Sequence, residues 1–149
     1  MEEGTYVEWK DEYSVKIPLI DDQHKELIRL TNQLYASCLE GDDQARAYFK
    51  EVIRSTVNYI KFHFGAEERI MSNAGYPQFA EHKKQHESFV KRVLEDVKKF
   101  EGGKAVPYVF VNYLRDWILN HIAVHDKAYS AYIMERKQTG TLSANKREP

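Results

Sequence analysis

Four of the chain's six histidines form two pairs spaced four residues apart, His82/His86 and His121/His125. Chance placement of six histidines in 149 residues gives roughly 0.2 such pairs. Residues four apart lie on one face of a helix, so each pair can aim two imidazoles at a single point. A fifth histidine, His63, has a carboxylate one turn on at Glu67, and His24 stands alone. Imidazole nitrogens and carboxylate oxygens are both candidate metal ligands. Singly, each has a plainer reading. A lone helical histidine is ordinarily a surface or hydrogen-bonded residue, and Glu67 beside Glu68 reads as a solvated helix face. Spacing also favours His125 over Asp126 as the partner of His121, because a residue at i+5 lies about 140° around an α-helix.

Glycine, proline and apolar periodicity set out the elements that must position these groups. A non-helical arm over residues 1–20 carries Trp9, Tyr13, Val15, Ile17 and Ile20, with Pro18 just ahead of two N-cap candidates, Asp21 and Asp22. The first helix is expected from about 22 to 40, stopped by Gly41. A second follows an Asp42-Asp43 cap, with Phe49, Val52, Ile53, Ile60 and Phe64 apolar, and ends at Asn73-Ala74-Gly75. Pro77 opens a third, whose stripe is Phe79, Phe89, Val90, Val93, Val97 and Phe100, closed by Gly102-Gly103. Pro107 opens a fourth, running to about 136 with Phe110, Val111, Leu114, Trp117, Ile118 and Ile122 inward. A polar tail covers 137–149. No strand pattern and no repeat is present. The expected fold is all-α: an up-down-up-down four-helix bundle over residues 21–136 behind the N-terminal arm.

That topology tests the histidines. One end of such a bundle collects the start of the first helix, the end of the second, the start of the third and the end of the fourth. His24 lies in the first turn of its helix, and His63 and Glu67 in the last third of theirs. His82 and His86 lie early in the third helix, and His121, His125 and Asp126 late in the fourth. All therefore reach one level. Scattered surface histidines have no reason to do so.

Composition excludes other classes. A net charge of -1 argues against nucleic acid or an anionic membrane as partner, and no apolar run is long enough to span a bilayer. The start, MEEGTYVEWK, lacks the basic and apolar regions of a secretory signal, and the lone Cys38 cannot form an internal disulfide; both fit the cytoplasm. Cys38 reads as a half-buried small side chain on a helix.

The order of these residues resembles the hemerythrin family, in its single-domain bacterial form (bacteriohemerythrin). The likeness runs from Trp9 to about Tyr132. It includes W-x3-Y-S-V at Trp9, Tyr13, Ser14 and Val15, and I-D-x-Q-H at Ile20 to His24. It continues with H-F-x-x-E-E at His63 to Glu68, H-x3-H at His82 and His86, and W-x3-H-I-x3-D at Trp117 to Asp126. Each is weak alone, and their joint order is specific.

The resemblance implies a non-haem di-iron centre with seven ligands. One iron would take His82, His86 and His121, the other His24 and His63, with Glu67 and Asp126 bridging. Five imidazoles and two bridging carboxylates fill nine of twelve octahedral positions, and an oxo or hydroxo bridge fills two more. One position stays open on the two-histidine iron, for O2. Imidazole is neutral, so the protein supplies two negative charges only. A carboxylate-rich centre built on E-x-x-H pairs supplies more and favours O–O cleavage; those pairs, and the H-E-x-x-H of zinc peptidases, are absent. Reversible O2 binding without catalysis is the expectation.

By the same resemblance Leu27, Phe64, Phe89, Trp117, Ile118 and Ile122 would wall the O2 pocket, with Tyr129 near the site. Asp126 replaces His125 as ligand, which ordinary α-helical geometry resists. A π-bulge over 121–126 would reconcile the two. Three roles compete: an O2 carrier or store, an O2 or redox sensor acting through a separate partner, and a di-iron peroxidase or NO-handling enzyme. A sensor is expected to carry an output module and the short polar tail has the pattern of none, so the carrier is the expectation. The sequence names no protein partner.

Overall fold

The computed structural model describes residues 6–38, 43–101 and 107–138. The expected stops at Gly41 and Gly102-Gly103, the cap at Asp42 and the tail beyond residue 138 lie outside them. Helix α1 spans Pro18–Cys38, α2 Asp43–Ala74 and α3 Phe79–Glu101. Then α4 (Pro107–Asn120), a π-helical turn (His121–Asp126) and α5 (Lys127–Gln138) follow without a break. Asn120 and Lys127, on either side of the π turn, both keep right-handed helical backbone, so the three segments make one rod. The fold is a four-helix bundle, as expected.

Helix α3 opens at Phe79 and not at Pro77, and the N-terminal end differs from expectation too. The arm contains one 3-10 turn, Asp11–Tyr13, and α1 begins at Pro18 instead of at Asp21 or Asp22. Proline is suited to a first helical position, because its φ is preset and its missing N–H has no partner there anyway. Asp21 then falls inside the first turn. Its carboxylate accepts from the Ser14 hydroxyl at 2.6 Å and the Val15 N–H at 2.8 Å, so it ties the arm to the helix. Asn32 holds the arm further out, accepting from the Val7 N–H at 2.7 Å and donating to its carbonyl at 2.8 Å. The Ser130 hydroxyl donates to the Val15 carbonyl.

The apolar stripes meet in one core. Leu34 of α1, Ile53 and Ile60 of α2, Phe89 and Val93 of α3 and Val111 and Leu114 of α4 are all nearly inaccessible. Each such side chain contributes about 1.5–3 kcal/mol through burial. Helix α1 packs on α2 and α4, and α2 on α3. Phe89 stacked on Trp117 at 3.8 Å joins α3 to α4. Phe49 near the start of α2 meets Phe100 at the end of α3, as antiparallel neighbours require. Beyond the histidine level, Met71, Tyr129 and Ile133 form a smaller cluster, and Val15, Ile20 and Ala66 another beneath the arm. Apolar layers therefore lie on both sides of the histidines. Among the described residues, no helix is long and apolar enough to cross a membrane.

The end of α2 shows how tightly the turns are specified. Gly75 sits at φ 67°, the Tyr76 N–H donates to the Met71 carbonyl at 3.0 Å, and the Gly75 N–H donates to the Ser72 carbonyl at 3.1 Å. This is a Schellman cap, and Tyr76 packs back on Met71 as such caps favour. A Cβ at Gly75 would meet nothing within 4 Å, so substitution there costs backbone conformation alone. Gly75→Ala should lower unfolding free energy by about 1 kcal/mol and Gly75→Asn by less, read as a shift in urea midpoint at constant m-value.

Candidate metal centre

Seven of the residues expected at the site converge from all four helical rods. His24 comes from α1, His63 and Glu67 from α2, His82 and His86 from α3, and His121 and Asp126 from the π turn. Their exposures run from 0% to 4%. Geometry divides them into two groups. Glu67, His82, His86, His121 and Asp126 offer one donor atom each within 4.8 Å of one another, and so do His24, His63, Glu67 and Asp126.

The carboxylates belong to both groups, with a different oxygen in each. Glu67 Oε1 lies 3.2 Å from His86 Nε2, while Oε2 lies 3.5 Å from both His24 Nε2 and His63 Nε2. Asp126 Oδ1 lies 3.1 Å from His82 Nε2 and 3.2 Å from His121 Nε2, while Oδ2 lies 3.0 Å from His24 Nε2. Each carboxylate thus spans the gap between the groups.

The donor set fits two cations. Donors about 2.1 Å from a six-coordinate ion stand about 3.0 Å apart when adjacent. In the first group His121 Nε2 lies 2.9 Å from His82 Nε2 and 3.1 Å from His86 Nε2, matching that spacing. Three imidazole nitrogens stand this close together beside one oxygen each of Glu67 and Asp126. Both His24 nitrogens and Asp126 Oδ2 of the second group are buried without a hydrogen bond, and so are Glu67 Oε1 and Asp126 Oδ1 of the first. His24 Nε2 lies 3.0 Å from Asp126 Oδ2 with no hydrogen bond between them. An unpaired buried carboxylate is costly, and a cation between the groups removes that cost.

The protein's own charges run the same way. Burial pushes the Glu67 carboxyl up, but the neighbouring histidines outweigh it and hold the group down at about 2. Burial and then those histidines act likewise on Asp126, which stays well below the usual carboxylate range. Burial opposes charge on His24, yet Asp126 and Glu67 raise its pKa to about 9; His63, where burial prevails, is lowered to about 4. Two ionised carboxylates in a closed site call for positive charge.

Surrounding residues aim the rings. Phe64 stacks on His86 at 3.7 Å and Trp117 on His121 at 4.3 Å. Tyr129 is fully buried and donates to Glu67 Oε2 at 2.9 Å. Gln23 Oε1 accepts from His63 Nδ1 at 2.7 Å, and Glu68 Oε2 from His86 Nδ1 at 3.0 Å, which leaves each Nε2 lone pair pointing inward. Reading from sequence gave Gln23 no role and put Glu68 on a solvated face. Both precede or follow a candidate donor directly, which was the signal available.

The expectation from spacing at His125 is corrected. His125 is half-buried and belongs to neither group; its ring centre lies 5.3 Å from that of His121 and 6.2 Å from that of His82. The π turn is the reason. The Lys127 N–H reaches back to the Ile122 carbonyl, five residues away, so the widened turn carries Asp126 over His121.

A cavity of about 10 Å³ adjoins the donors, with His24, His63, His121 and Asp126 at its edge. That is about the space one water molecule needs. Leu27, Phe64, Phe89, Trp117, Ile118 and Ile122 line it, joined by Ile60, which was expected only as core.

Residues 15–133 match the family model of the hemerythrin HHE cation binding domain. A bacteriohemerythrin of Stenotrophomonas maltophilia (strain R551-3) is 38% identical over 122 residues, covering 82% of this chain and 78% of its own. One from Pseudomonas aeruginosa (strain LESB58) is 34% identical over 143 residues, covering 91% and 92%. Among solved structures, that of wild-type hemerythrin superposes with a TM-score of 0.78 at 31% identity, covering 85% of this chain and 96% of that one.

Because the donors are built for cations, a divalent ion added to chelator-treated protein should raise its melting temperature. Glu67→Ala should lose more of that rise than His63→Ala, since Glu67 belongs to both groups. Equal losses, measured by differential scanning calorimetry, would show that the carboxylate is not shared.

Proposed function

This chain belongs to the hemerythrin family, and on that premise we propose that it holds two iron ions and binds O2 reversibly as a carrier, store or delivery protein. The observation that carries the reading is the division of two carboxylates, one oxygen each, between two sets of histidines. His82, His86 and His121 would hold one ion and His24 and His63 the other, with Glu67 and Asp126 bridging. A ferrous pair supplies two electrons that O2 takes up and gives back.

The chain's own residues restrict the chemistry open to such a pair. Five donors would serve one ion and four the other, so the ion held by His24 and His63 would be the one with room for a further ligand. Both of those histidines border the apolar cavity. Its aliphatic and aromatic walls exclude water and anions and offer no proton donor. The imidazoles add no negative charge, so the site is less suited to high oxidation states than a carboxylate-rich one. Rigid helices on four sides hold the donors in place. These features favour binding over turnover.

Metal analysis should find two irons per chain. The reduced protein should gain a new optical absorption on exposure to air and lose it under vacuum. A spectrum that never reverses, or rapid consumption of peroxide by the reduced protein, would favour an enzyme instead.

Ile118 and Ile122 bear on the lifetime of bound O2. Both are buried, four apart on one face, and line the cavity. Ile118→Thr or Ile122→Thr should admit water and speed autoxidation in air at equal iron content, at a cost of about 1–3 kcal/mol in stability. Unchanged autoxidation rates in both variants would make these residues core filling only.

A further inference from the structure

The two donor groups differ in what stands behind them. His86, in the five-donor group, gives its Nδ1–H to the carboxylate of Glu68 at 3.0 Å. His63, in the four-donor group, gives its Nδ1–H to the neutral amide oxygen of Gln23 at 2.7 Å. Among the described residues no lysine or arginine lies within 4 Å of Glu68, so its hydrogen-bonded partner is His86. Glu68 is also only 23% exposed, on the floor of a groove between α2 and α3, where water screens it incompletely, although Lys61 and Lys91 line the same groove.

We propose that Glu68 is a positioning residue that makes the group of His82, His86 and His121 the stronger of two unequal metal sites, so that the pair of ions is loaded in a fixed order. The inference rests on the two-metal reading above. A carboxylate behind a ligating imidazole fixes its tautomer and raises its basicity, and a charge-assisted hydrogen bond does so more strongly than a neutral one. Glu68 therefore adds an anion's pull to the site that already has five donors. Gln23 orients His63 equally well but adds no charge. The four-donor site is left weaker as well as more open, and it is the one beside the cavity.

Chelator-treated protein titrated with Co(II) in a calorimeter tests this. The parent should take two ions per chain in two resolved steps. Glu68→Gln keeps the size and a hydrogen-bonding oxygen but removes the charge; it should weaken the tighter step 10–100-fold and leave the second unchanged. Gln23→Glu should do the converse, strengthening the weaker step so that the two draw together. Co(II) absorption at one equivalent should show a single environment in the parent and a mixture in Glu68→Gln. Fewer than two ions in the parent would sink the two-metal reading and this inference with it. Two ions in the parent, with Glu68→Gln leaving both steps unchanged or weakening both alike, would overturn the inference alone.

Discussion

Two ionised carboxylates, Glu67 and Asp126, lie almost wholly out of water, and among the described residues no lysine or arginine stands within 4 Å of either. The interior cannot hold that charge without compensation. Imidazoles supply part of it, His24 and His86 among them, whose pKa values the neighbouring carboxylates raise against burial. The rest has to come from cations. The remainder of the centre is built around this need: five histidines turned inward, aromatic rings pressed against two of them, and apolar layers on either side that keep water away.

The bundle suits such a centre because each rod contributes at the same level while the cores beyond it provide stability. Leu34, Ile53, Val93 and Leu114 pack without reference to the donors. Tyr129 joins the two functions: it fills the smaller apolar cluster and its hydroxyl anchors Glu67. The arm adds a third layer of support through Asp21, Asn32 and Ser130. Its Val15 lies over Ile20 and Ala66, close in sequence to His24 and Glu67.

A local irregularity decides the chemistry of the fourth rod. With regular α-helical geometry throughout, His121 and His125 would face inward together and Asp126 would turn away. The site would then have an additional neutral donor and only one shared carboxylate. The π turn exchanges a histidine for an anion that spans both groups. It also leaves His125 at the margin, where burial lowers its pKa.

Much of this was legible in the sequence. Histidine pairs four apart, Glu67 one turn from His63, and the punctuation at Gly75, Pro77 and Pro107 all act through chain-local geometry. They therefore predicted four helices and one shared level. The start of α1 at Pro18, with Asp21 turned back to the arm, was not legible, because either aspartate could cap a helix until the arm's own donors found one of them. Nor was the division of each carboxylate between two groups, which depends on contacts between residues as far apart as His24 and Asp126. Spacing pointed to His125, and the family resemblance to Asp126. Only the packed bundle, where buried charge needs a partner across helices, provides the π turn that makes the second choice physically possible.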